Sequence, residues 1–210
     1  VANVQPSRLP ESSPLAQLAI GTLDTLIEVR AVEYKRSESF SSLESHIIKT
    51  SMAMANLRDG GLIIIGVARQ PSGLVRTGIS AADLNTYDAD VILSAINKYA
   101  APAVDAVVAT VEHKKEDYVV IFIEEFSATP IICAKDSAWG NAGSIYIRPR
   151  GFVETRTPRS GQELDELIDL AAEKRAARMI RQHVSLSAVV SPPQPSNAAY
   201  DREIAGLENL

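Results

Sequence analysis

The sequence predicts an α+β domain: a mostly antiparallel sheet with helices packed against one face. Three stretches lead to it. In AMANLRDGGLIIIGV (residues 53–67) a helical pattern, two glycines and a short Ile-rich run follow in succession, which is the order helix, tight turn, buried strand. Two β-rich runs, residues 104–112 and 118–126, are joined by HKKED, whose mixed charges suit a solvated hairpin turn. Residues 162–182 carry a long helical repeat at the C-terminal end of the domain.

Taken in order, residues 1–14 (VANVQPSRLPESSP) place Pro and Ser among isolated apolar residues and read as a flexible arm. They lack the basic start and continuous apolar core of a signal peptide, and no run reaches the length of a bilayer span, so a soluble cytoplasmic protein is expected. A helix follows over residues 15–27, carrying Leu15, Leu18, Ala19, Leu23 and Leu26 or Ile27, with Gly21 as a weak point. Residues 29–35 alternate as a strand, Val32 and Tyr34 on one face, Glu33 and Lys35 on the other. After the polar RSESFSS comes a helix burying Leu43, Ile47, Ile48, Ser51, Met54 and Ala55. Gly60 and Gly61 are expected to take the left-handed conformation that ends it. The strand at 62–67 returns through ARQPSG to a paired strand at 74–78. Residues 80–99 read as a helical region in two pieces, its apolar face drawn from Leu84, Tyr87, Val91, Ile92, Ala95 and Ile96, and Pro102 closes it. Beyond the hairpin, short strands are expected at 131–134 and 144–150, separated by the loop DSAWGNAG. In the last helix Leu164, Leu167, Ile168 and Ala171 face the sheet, while Lys174, Arg178 and Arg181 form a basic stripe. The domain is thus placed at 15–182. It is followed by a Pro-rich linker (183–197) and a short amphipathic segment (198–210) with Tyr200, Ile204 and Leu207 along one side.

The 210 residues suit one domain with tails. A formal net charge of -5 restricts any nucleic-acid contact to a local basic groove. Cys133, the single cysteine, excludes an internal disulfide and a Cys-based zinc site, suits a reducing compartment, and reads as a small buried hydrophobe. A phosphate-binding loop needs glycines after a strand and before a helix; here they follow a helix, and nothing matches GxxxxGK[ST].

Metal-assisted cleavage of a phosphodiester needs acidic oxygens around a divalent ion and a nearby cation. Glu28, Glu33 and Lys35 supply that set if Glu28 lies in the turn before the strand, with Mg²⁺ or Mn²⁺ as the cofactor. For phosphate binding, Arg148 and Arg150 are spaced by two and would share a strand face, with Arg156 and Arg159 just beyond. Arg58, Arg69 and Arg76 flank the central strand, and Lys49 could join them. Trp139 would either stack on an unpaired base or fold back as a lid over its own core. Asn56 is assigned to backbone groups near its helix end, with loop anchoring or a phosphate contact as the other roles open to it. His46, His113 and His183 show no ligand spacing.

VEYK (Val32–Lys35), the helix ending AMAN, GGLIIIGV, YVVIFIEEF, SIYIRPRG and ETRTPRSGQELDELIDLA recur in an order that resembles the Schlafen-type AlbA-like family, over roughly residues 23–181. NLRDGG is one residue longer than the commoner turn. The resemblance implies a single-lobe domain that binds DNA or RNA. In nuclease-active members it implies an acidic pair at the spacing of Glu28 and Glu33, and a third acid just after the IGV strand. Here Val67 is followed by Ala68 and Arg69, a cation in place of the acid, and Glu124 is the substitute to look for. Relatives with two lobes in one chain imply a homodimer for this one. The adopted reading is a nucleic-acid-binding domain with an arginine-lined groove. Its alternatives are a metal-dependent nuclease and an interaction subunit whose C-terminal segment docks on a larger partner such as an ATPase.

Overall fold

A computed structural model describes the backbone of residues 5–190 and the side chains through residue 182. The amphipathic segment with Tyr200, Ile204 and Leu207, residues 191–197 of the Pro-rich linker and residues 1–4 lie outside the described residues. The architecture is α+β, as expected. Its main sheet has the order β1-β2-β7-β6, formed by β1 (Val32–Lys35), β2 (Gly61–Ile65), β7 (Glu116–Ile123) and β6 (Ala106–His113). β1 runs parallel to β2, and the other two pairings are antiparallel.

The Ile-rich composition of β2 follows from its place between two covered faces. Ile63 and Ile65, with Val119, Ile121 and Ile123 of β7, pack in a core with α2 (Phe40–Ala55) and α4 (Ala89–Tyr99), through Ile47, Met52, Ile92 and Ile96. Leu62 and Ile64, with Val120 and Phe122, point the other way onto Ala16, Ala19 and Leu23 of α1 (Pro14–Thr25). α1 therefore adds a helix on the face opposite α2 and α4. A sheet with one bare face would read as apolar-polar alternation; β2 does not alternate.

The turn between α2 and β2 takes its left-handed residues at Asp59 and Gly60, with φ of 64° and 70°, so Gly61 is not one of them. Each glycine has its own reason. A Cβ on Gly60 would sit 1.9 Å from the Ile123 carbonyl oxygen, and one on Gly61 would meet Met54 Sδ at 2.5 Å. The first lets the turn pass over the end of β7; the second lets α2 close onto β2.

The remaining elements largely follow expectation. β3 (Val67–Gln70) and β4 (Gly73–Arg76) form a hairpin, and α3 (Ala81–Leu84) and α4 are the two pieces of the helical region. β6 and β7 join through Lys114 and Lys115, both at positive φ as a two-residue type I′ turn requires. β5 (Ala100–Ala101) pairs with β8 (Ile132–Cys133), and Cys133 is buried. Three departures have physical causes. Ser7 and Leu9, in the expected flexible arm, hydrogen-bond with Thr110 on the outer edge of β6. Residues 144–150 form no ladder beyond an Ile147–Arg156 bridge, because Pro149 and the positive-φ Gly151 turn the chain away. In α5 (Gly161–Val190) Leu167 and Leu170 are buried while Ile168 is exposed, so the buried face is rotated from the one expected. The helix also runs past residue 182. By compactness the chain divides into two units, Val1–Ala172 and Glu173–Leu210.

Replacing Gly60 with alanine combines positive φ with a backbone collision, so Gly60→Ala is expected to cost more than about 2 kcal/mol of unfolding free energy in urea. A loss within error of wild type would show that the turn relaxes without cost.

Candidate functional site

The candidate site lies on β1, an edge strand whose outer side is closed by a single arginine. Glu33 and Lys35 are register partners of Ile63 and Ile65 and so share the face that α2 covers. The Glu33 carboxylate is held at both oxygens, Oε1 at 2.7 Å from Lys35 Nζ and Oε2 at 2.8 Å from Arg148 Nη1. Arg148 is 1% exposed. Its guanidinium also donates to the carbonyls of Arg30 and Val32 and to Thr155 Oγ1. The Ala31 carbonyl accepts from Leu62 of β2, so the alternate carbonyls, Arg30 and Val32, face outward and would be orphaned without Arg148. Burial resists ionisation of Glu33, but Lys35 and Arg148 outweigh it and hold its pKa below the usual carboxylate value.

Glu28 sits past the end of α1, which stops where Leu26 takes a left-handed conformation. Its carboxylate accepts from Arg69 of β3. Arg76 of β4 donates to the carbonyls of Leu23 and Asp24 and so caps α1. Between these elements and α2 opens a cleft of about 510 Å³ whose lining includes Glu28, Tyr34, Lys35, Arg36, His46 and Arg69. Glu33 does not line it. The side chains of Arg36 and Arg69 are 72% and 67% exposed, in surface pairs with Glu38 and Glu28. Burial, then Lys35 and Lys49, push the His46 pKa down.

The C-terminal arginines are arranged differently from expectation. Arg148 and Arg150 do not share a face: Arg148 is turned inward, whereas the Arg150 side chain is 79% exposed and reaches Glu166 at 3.2 Å. Glu166 is also gripped by Arg30, and that pairing, ahead of the opposing effect of burial, takes its pKa to about 2. Arg156 forks onto Glu163 at 2.8 and 2.6 Å and also meets Glu154. Trp139 takes the lid position, its ring 5.0 Å from Tyr99 and 6.3 Å from Tyr146 over the core, with Lys49 Nζ 5.9 Å from its centroid. Asn56 is an anchor: it exchanges hydrogen bonds with Ile131 and donates to the Tyr146 carbonyl. Arg58 lies at the rim of a separate pocket with Glu124.

These donors do not fit a divalent ion. Both Glu33 oxygens face cations, Glu28 faces Arg69, and Glu124 lines a different pocket from Glu28. Among the described residues no three acidic, histidine or cysteine side chains converge.

The family described as Schlafen, AlbA_2 matches residues 28–154, more than half of the chain. This chain belongs to that family. No curated protein matches it. Among solved structures, the DIP2311 protein from Corynebacterium diphtheriae is 13% identical with a TM-score of 0.46 over 73% of this chain, which spans 29% of that protein. The N-terminal domain of a RecG-related protein from Nitrosomonas europaea is 22% identical with a TM-score of 0.45, covering 68% of this chain and 94% of the other. In this Schlafen, AlbA_2 domain, sequence reasoning found Glu28, Lys35 and Arg69 of the cleft and missed Arg36 and His46. Arg36 follows Lys35 directly, and its exposure could have been read from the strand ending there.

Removing the guanidinium that holds Glu33 leaves one carboxylate oxygen and two carbonyls without partners, so Arg148→Leu is expected to cost about 3 to 5 kcal/mol. Arg150→Ala should stay within about 0.5 kcal/mol. Because the folded pKa of Glu33 is lowered, its contribution is complete above about 4.5 and is lost as pH falls below that value. Urea melts from pH 7 to 3 should therefore show a weaker acid dependence in Glu33→Gln than in wild type. An identical dependence would remove the assigned role.

Proposed function

We propose that this chain binds nucleic acid through its phosphate backbone, with the cleft beside β1 as a contact surface. The observation that carries the reading is the gathering of Lys35, Arg36 and Arg69 around one opening in a chain of net charge -5. Membership of the Schlafen, AlbA_2 family, whose domains are generally nucleic-acid related, supports it. Exposed ion pairs are weak, so Arg36 and Arg69 can leave Glu38 and Glu28 for a phosphate at little cost. A phosphate offers the guanidinium a forked acceptor in return. Arg150 belongs with this exchangeable group. Arg148, Arg156 and Arg76 do not, since each would have to abandon a carboxylate or carbonyls that the fold needs. A local set of a few cations gives affinity that is sequence-tolerant and salt-sensitive.

The nuclease alternative asks Glu28 and Glu33 to hold a metal ion, and the cations on both carboxylates argue against it. One assay separates the two readings. Labelled single- and double-stranded DNA and RNA are titrated with the chain, with and without Mg²⁺ or Mn²⁺. Arg36→Gln with Arg69→Gln is expected to weaken binding across sequences and reduce the salt slope by about 2. Metal-dependent cleavage abolished by Glu33→Gln would replace the binding reading with the nuclease. Unchanged affinity and slope in the folded double variant would remove the cleft from the contact surface.

A further inference from the structure

The unit that begins at Glu173 carries a charge pattern that its own helix does not explain. α5 holds four carboxylates and no cation from Gly161 to Ala172, then Lys174, Arg175, Arg178 and Arg181 against the single Glu173 up to Val190. Cations are favoured near a helix C-terminus, but that effect fades within the last turn. Arg181 stands more than two turns before Val190. Nor do neighbouring acids account for the cluster. Arg175, Arg178 and Arg181 have no carboxylate three or four residues away on either side. They have each other instead: Arg175 with Arg178, Arg178 with Arg181, and Lys174 with Arg178 are like-charged pairs at helical contact spacing, each mildly destabilising.

The rest of the molecule treats arginine differently. Arg30, Arg69, Arg148, Arg150 and Arg156 each face a carboxylate. Among the described residues Arg175, Arg178 and Arg181 have no such partner, and all three are exposed. A ridge of uncompensated cations in a net acidic chain is relieved by a polyanion.

We infer that the ridge Arg175, Arg178 and Arg181 is a second phosphate-backbone contact, on the helical unit rather than on the sheet. The inference rests on the nucleic-acid reading above and extends it to a different part of the chain. From Arg175 to Arg181 the helix rises about 9 Å. At 3.4 Å of axial rise per phosphate on one strand, that span meets about two or three phosphates. An anionic membrane is the poorer match, because only Met179 and Ile180 offer large exposed apolar side chains among residues 173–182.

The test uses the full chain, with fluorescence anisotropy on 20-nucleotide single-stranded and 20-base-pair duplex probes of DNA and RNA across a salt series. Arg175→Gln, Arg178→Gln and Arg181→Gln are combined, glutamine keeping the helix propensity of arginine, and circular dichroism checks the fold. The salt slope is expected to become shallower by about 2 to 3, and replacing the same three arginines by lysine should restore it. If wild type binds and the glutamine variant keeps its affinity and slope, the ridge is not a contact, while the cleft reading survives on the Arg36 and Arg69 variants. Failure of wild type to bind any probe overturns both readings. Loss of binding to phosphatidylserine vesicles in the glutamine variant, with nucleic-acid binding intact, would also overturn the inference and assign the ridge to a membrane surface.

Discussion

The buried pair between Glu33 and Arg148 is the interaction on which the site depends. An edge strand leaves a row of carbonyls open to pairing with another chain. In this fold Arg148 reaches across from the segment after β8, ties off the Arg30 and Val32 carbonyls and is itself neutralised by Glu33. A guanidinium buried without that carboxylate would carry an uncompensated charge, and the carboxylate without the guanidinium would be half-desolvated beside Lys35 alone. The pair therefore fixes the outer side of β1, and with it the position from which Lys35 looks into the cleft. It also commits Glu33 to a structural role, because both of its oxygens are already engaged by cations.

What holds β1 from the inner side is the fit of α2 and the sheet around Gly60 and Gly61. Gly60 lets the chain turn against the Ile123 carbonyl, and Gly61 lets Met54 lie directly on the strand. That contact sets the height of α2 over the sheet, and α2 forms the far wall of the cleft through His46. The same packing explains why β2 is apolar at every position after Gly61: it lies beneath α2 on one side and α1 on the other.

Much of this was readable in the sequence because it rests on local periodicity. The helix-GG-strand order, the Lys114–Lys115 hairpin and the two-piece helical region all follow from spacing and turn chemistry. The burial of Arg148 was not readable, since strand alternation gave it the same face as Arg150 and only the tertiary path through Pro149 and Gly151 separates them. Trp139 had two roles open to it, and the choice was made by the tertiary placement of Tyr99, which is distant in sequence, with Tyr146 just beyond the loop. Arg156 pairs with Glu154 and with Glu163 at the acidic start of α5, acids close enough in sequence to be read as its partners, whereas the partner of Arg30, Glu166, lies far along the chain and could not be read from the segment around Arg30.

The molecule thus holds two populations of cation. One, which includes Lys35 and Arg148, is locked into the fold by carboxylates and carbonyls, and the other, formed by Arg36 and Arg69 at the cleft, by Arg150 and by the arginines of α5, is exposed and exchangeable or uncompensated. Glu33 marks the division, and its carboxyl carbon reports on it directly. A ¹³C NMR titration of the Glu33 side chain, with and without Mn²⁺, is predicted to show a pKa below the ordinary glutamate value and no selective broadening by the metal. A pKa at or above that value, or broadening of Glu33 at low Mn²⁺ concentration, would contradict the account and make this carboxylate a metal ligand.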